Sequence, residues 1–160
     1  MKLVSPLVLA TPAPSTVTIS YLNKVYTAAC QHLSWEPSGE LHLAFVSTNI
    51  SRQLNKQFAN NDYPTDVLSF NYTEYSQPSS DTTLPKQNVY GEIVICTDVA
   101  IQNAKTNKVD LRTEISLLLV HALIHLSGAD HQTSKDKASF SDIQNGIMKS
   151  LNLEFHKMTW

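Results

Sequence analysis

The sequence predicts an α+β fold in which a mixed four-stranded sheet packs with about five helices. Three observations predict it. Apolar runs bounded by turn residues, LHLAFV at 41–46 and YGEIVI at 90–95, read as strands. Elsewhere apolar residues recur at helical spacing in several separate segments. Between NNDYPTDVLSFNY, at 60–72, and YGEIVI lies a Ser, Thr, Pro, Gln and Asp stretch from Thr73 to Asn88 with no helical pattern, so two neighbouring strands are joined without a crossover helix. That gives the sheet its mixed direction.

Taken in order, residues 2–9 read as a first strand, and the connection TPAPS ends at a helix cap, Ser15 or Thr16. From Val17 to Leu33, the residues Ile19, Leu22, Val25, Tyr26, Ala29 and Leu33 line one helical face. After the strand at 41–46, Thr48 or Asn49 caps a helix whose Ile50, Leu54 and Phe58 share a face. Asn-Asn-Asp and Pro64 then punctuate the chain before a strand carrying Val67, Leu68 and Phe70. Thr97 or Asp98 caps a helix to about Lys108. A long helix runs from Leu111 to Leu126 and ends at Gly128, and a last helix spans residues 135–151. The whole chain, 1–160, is read as one domain.

Composition excludes several classes. With 42% hydrophobic and 16% charged residues and a formal charge of -2, the chain is globular, and its total charge offers no long-range attraction to nucleic acid. Its two cysteines, Cys30 and Cys96, fall inside predicted elements, which suits free thiols in a reducing compartment and places the chain in the cytoplasm. MKLVSPLVLATPAPS carries a single lysine, and Pro6 interrupts its short apolar run, so it reads as a strand rather than a signal peptide. No apolar segment approaches the ~20 residues of a membrane span.

The stretch HALIHLSGADH, residues 121–131, holds three of the six histidines. Residues four apart on a helix differ by about 40° around the axis and about 6 Å along it, so His121 and His125 project side by side. Gly128 lets the chain turn back and bring His131 to the same point as a third metal ligand. A closed structural zinc site takes four protein ligands, whereas three histidines leave a position for water, the count of catalytic sites. Imidazoles also accept nickel and copper. The histidine helix would pack on the sheet, a zincin-like arrangement. The spacing is that of metzincin proteases, whose glutamate after the first histidine is the general base; here that residue is Ala122, which argues against peptide hydrolysis. His32, His42 and His156 form no such constellation.

These residues resemble the YbeY family of bacterial endoribonucleases. Its motif HGxLHLxGxDH matches HALIHLSGADH except at the glycine, here Ala122. LNKQFANNDYPTDVLSF, residues 54–70, is similar to the family's LNxxYRxxDxPTDVLSF, and GEIVI, residues 91–95, to its GDIVI. The resemblance implies one zinc ion per chain held by His121, His125 and His131 in a cleft against the sheet. It implies cleavage of single-stranded RNA, with 16S rRNA 3′ end maturation and ribosome quality control as the tasks. The partners implied are single-stranded RNA, rRNA and the ribosome, with neither DNA nor membrane.

Two departures stand out. The family arginine associated with phosphate contact aligns with Ala59, and alanine has no bidentate grip to offer. Arg52 and Lys56, two turns and one turn earlier, are the candidate phosphate contacts in its place. The alternative reading is therefore a YbeY-like RNA- or ribosome-binding protein with weak or lost cleavage. Ala122 is the milder departure. Asp130 is a candidate to orient an imidazole or to cap the SGADH turn. Thr65 and Asp66 fix the turn into their strand, whose Ser69 and edge face the implied RNA cleft.

Overall fold

Among the described residues four strands, β1 (Leu7–Leu9), β2 (Glu40–Val46), β3 (Val67–Asn71) and β4 (Val89–Cys96), form one sheet in the order β1-β2-β4-β3. The computed structural model describes residues 7–72, 88–129 and 133–155. β1 runs parallel to β2 and β2 parallel to β4, while β3 pairs antiparallel with β4. The mixed direction read from the helix-free stretch between β3 and β4 is thus present. Among the described residues there are five helices: α1 (Ile19–His32), α2 (Thr48–Ala59), α3 (Thr97–Asn107), α4 (Leu111–Leu126) and α5 (Ser134–Ser150).

The inner strands are apolar because they are covered. Leu41 and Leu43 of β2 and Ile93 and Ile95 of β4 are fully buried against helices. α4 is apolar nearly all round, as a helix with neighbours on every side must be. It packs on α1, α3, α5, β3 and β4, and only three of its sixteen residues, Leu111, Arg112 and His125, escape full burial. Asp110 caps it by accepting from Thr113 N–H at 2.7 Å.

The caps of three other helices differ from the sequence reading. Thr18, not Ser15 or Thr16, caps α1, accepting from Tyr21 N–H, because Val17 is drawn into the core and the helix starts only after it. Ser47, one residue before the predicted pair, caps α2. α3 follows β4 directly from Cys96 with no side-chain cap at all, so neither Thr97 nor Asp98 caps it. Gly128 has φ +102 and its N–H meets the His125 carbonyl at 3.0 Å, so it turns the chain out of α4 as predicted. Among the described residues no helix is long and apolar enough to cross a membrane. Cys30 and Cys96 are buried free thiols.

Candidate functional site

Helix α4 sets His121 and His125 one turn apart, and their Nε2 atoms converge to 3.2 Å. His121 is buried, His125 half-buried. Helix α5 closes over them: Phe140 lies 4.9 Å, ring to ring, from each histidine. The buried Gln144, one turn further along α5, places Oε1 3.2 Å from His121 Nδ1. An amide oxygen accepts, so the proton sits on Nδ1 and the Nε2 lone pair points at His125.

This geometry fits a metal. Two nitrogens 3.2 Å apart, each at a zinc–nitrogen distance of about 2.0–2.1 Å, subtend about 100–106° at the ion, close to the tetrahedral angle. His131 and Asp130, the third predicted ligand and its neighbour, lie outside the described residues. Among the described residues no group of three His, Cys, Asp or Glu side chains is placed to share an ion. Gln144 has the position of a residue that fixes a ligand's tautomer. Gln144→Leu is expected to weaken zinc affinity by about 10–100-fold while leaving the fold intact, read by competition with a chromophoric chelator. Unchanged affinity would discard this role.

The two histidines floor a cleft of about 360 Å³ that is walled by Thr65, Asp66, Val67, Leu68 and Ser69 and passes over Ala122. Ala122 is 1% exposed, so the methyl that replaces the family glycine fits without opening the helix packing. The wall is pinned from two helices. Ser51 of α2 donates to the Thr65 carbonyl at 2.7 Å and accepts from Thr65 N–H at 3.0 Å, and Asn55 donates to the Tyr63 carbonyl at 2.8 Å. From α3, Asn103 donates to Asp66 Oδ2 at 3.1 Å, while Asp66 Oδ1 accepts from Val67 N–H at 2.7 Å. Asp66 and Thr65 therefore do fix the turn into β3.

Behind the wall, Glu114 of α4 is buried and accepts from Asn107 at 3.3 Å. Burial pushes the Glu114 and Asp66 carboxyls above their ordinary range. A raised carboxyl favours the folded state fully below its unfolded pKa, and that contribution is lost as pH rises through the folded value. Stability is thus expected to fall as pH rises above about 4 from these two groups. Glu114→Gln, which keeps an acceptor for Asn107, is expected to raise the melting temperature at pH 7 and leave it nearly unchanged at pH 4. Equal shifts at both values would assign the effect to something other than charge.

Among the described residues β3 is an edge strand. Tyr72 N–H donates to the Tyr90 carbonyl and Cys96 N–H to the Asp66 carbonyl, both at 2.9 Å, so the even-numbered positions bond to β4. The odd positions, Val67 and Ser69, turn their backbone groups to the outer edge. Their side chains share a face with their partners Ile95 and Ile93, the face covered by α4.

Arg52 and Lys56 are both on the exposed side of α2, and both meet Asp62: Arg52 Nε at 2.8 Å and Lys56 Nζ at 3.5 Å. The guanidinium holds the Asp62 carboxyl below its ordinary range. Ala59 ends α2 and is exposed. His42 pairs with Glu40 at 3.0 Å, His32 packs beside Gly146, and His156 lies outside the described residues. Gln144, Phe140 and Asn103 were absent from the sequence reading. Their only trace there is helical spacing, Phe140 and Gln144 being four apart and Asn103 and Asn107 likewise.

The comparisons with known proteins agree with one another. The family model described as Endoribonuclease YbeY matches residues 13–152. The Acinetobacter baumannii protein named Endoribonuclease YbeY is 34% identical over 135 residues, covering 82% of each chain. The protein of that name from Elusimicrobium minutum is 34% identical, covering 82% of this chain and 88% of its own, and that from Staphylococcus saprophyticus 30%, covering 82% and 85%. The solution structure of TM1509 from Thermotoga maritima shares the fold with a TM-score of 0.56 at 20% identity, over 91% of both chains. With the motif blocks, the helix-borne histidine pair and the cleft beside an edge strand all present in one chain, this protein belongs to the YbeY family.

Proposed function

We propose that this protein is a single-domain, zinc-dependent endoribonuclease that cuts single-stranded RNA in the cytoplasm, acting in 16S rRNA 3′ end maturation and ribosome quality control. The observation that carries the reading is the convergence of the His121 and His125 Nε2 atoms, 3.2 Å apart, on the floor of a cleft beside an edge strand. The relatives' shared name, Endoribonuclease YbeY, supports RNA as the substrate. His121, His125 and His131 are the proposed zinc ligands. When bound, zinc supplies Lewis acidity toward a phosphoryl oxygen. Gln144 holds the His121 ring in the tautomer a ligand needs, and Phe140 keeps water from that side of the pair. The pinned wall at 65–69 sets the width of the space in which an RNA strand lies. Single strands fit such a cleft where a duplex, with its paired bases stacked inside, does not.

One observation favours a second reading, in which RNA or ribosome binding persists with weak or lost cleavage. Ala59 replaces the family arginine, and Arg52 and Lys56, the candidate phosphate contacts, are engaged with Asp62. The test is incubation of zinc-loaded protein with single-stranded and duplex rRNA fragments, beside an Ala59→Arg variant. Cleavage of single strands by the parent supports the enzyme. Binding without cleavage, with cutting restored only by Ala59→Arg, would transfer the conclusion to the second reading.

A further inference from the structure

The cleft wall carries several hydrogen-bond donors, and all but one residue's are committed. Thr65 N–H is taken by Ser51 and its hydroxyl donates to Asp66 Oδ1 at 3.4 Å; Val67 N–H is taken by the same carboxylate at 2.7 Å. Asp66 and Leu68, at even positions, turn their backbone groups toward β4. Across the cleft, Ala122 brings only a methyl, and its N–H lies within α4. Ser69 differs from all of these. Its N–H faces the outer edge of β3, its Oγ stands on the face toward α4, and among the described residues no hydrogen bond meets either.

We propose that Ser69 grips the RNA phosphate in this cleft. Its edge-facing N–H and its hydroxyl donate together to one non-bridging oxygen of a phosphate lying beside His121 and His125. The assignment rests on the ribonuclease reading above. Serine hydroxyls and backbone N–H groups are regular phosphate contacts, and a pair of them on one residue fixes an oxygen by direction rather than by charge. The position also answers the exchange at Ala59. A chain without the arginine meets phosphate through neutral donors on a strand that four side chains, Ser51, Asn55, Asp66 and Asn103, hold still. An immobile strand aims those donors without the cost of ordering a long side chain.

The test measures binding of a fluorescent single-stranded oligoribonucleotide to the metal-free protein by anisotropy, with cleavage by the zinc-loaded protein in parallel. Ser69→Ala is expected to weaken binding about five- to tenfold, and Ser69→Thr, which keeps the hydroxyl on a β-branched residue suited to a strand, to stay within about twofold of the parent. Oligonucleotides carrying a single methylphosphonate locate the contact. At one position the parent, whose two donors lose their shared oxygen, loses more than that factor, and Ser69→Ala, which keeps only the N–H, loses less there than the parent does. Binding by Ser69→Ala equal to the parent's overturns the assignment, and so does a loss that Ser69→Thr fails to restore or that adds to the methylphosphonate loss at every position. A parent that neither binds nor cuts RNA overturns the ribonuclease reading itself. A parent that does both, with Ser69→Ala indifferent, overturns only the role of Ser69.

Discussion

His125→Ala is expected to lower cleavage of single-stranded RNA by at least about a thousandfold, because it removes one of two imidazoles whose nitrogens converge to 3.2 Å on the proposed zinc position. Lewis-acid stabilisation of a phosphoryl oxygen amounts to several kcal/mol, and each ~1.4 kcal/mol is a factor of ten in rate. The fold is expected to survive the change. His125 is only half-buried, and the core beneath it is made by Leu118, Leu119 and Leu123 of the same helix. Metal content after dialysis and cleavage of a labelled rRNA fragment are the two readouts. Both are expected to fall together while the circular dichroism spectrum stays unchanged. Retained cleavage with full metal content would sink the centre as described.

Leu118→Ala has the largest expected effect on stability. Leu118 is fully buried in the helix that packs on α1, α3, α5, β3 and β4, so little can collapse into the space left behind. A loss of about 2–5 kcal/mol is expected, which for a chain of this size lowers the melting temperature by on the order of 10 °C. Denaturant titration measures it. His121 lies three residues on, one turn along the same helix, so the cavity is also expected to loosen the histidine pair and lower zinc affinity in the folded variant. A loss under about 1 kcal/mol would mean that α4 is not the packing centre of the domain.

Much of this architecture was legible because it is local. The approximate bounds of α4, about Leu111 to Leu126, were legible in the sequence because Gly128 leaves the helix through a positive φ that glycine alone takes easily, while its cap Asp110 was not named there. The side-by-side placement of His121 and His125 follows from helix geometry within five residues. What was misread is where several equally suitable residues stand together. Ser15, Thr16 and Thr18 can each cap α1, as Ser47, Thr48 and Asn49 can each cap α2, and the choice fell to tertiary burial of neighbours such as Val17. What was missed is non-local. Gln144 reaches His121 across 23 residues and Asn103 reaches Asp66 across 37, and no spacing rule spans a sheet and two helices. Ser69 could be placed at the cleft from its motif, but its donors stand out only once those of Thr65 and Val67 are seen to be spent on Ser51 and Asp66.

The pairing of Arg52 and Lys56 with one carboxylate makes the surface of α2 an ion exchanger already loaded with its own anion. Under the proposed function, an RNA phosphate arriving there would displace Asp62 rather than draw on empty positive charge. Such an exchange moves one anion off the cations as another arrives, so the local field changes little and partners are discriminated by fit rather than by charge density. Together with a formal charge of -2, this makes the protein a poor scavenger of polyanions in general. Under the proposed function, discrimination among RNAs would then fall to the shape of the cleft.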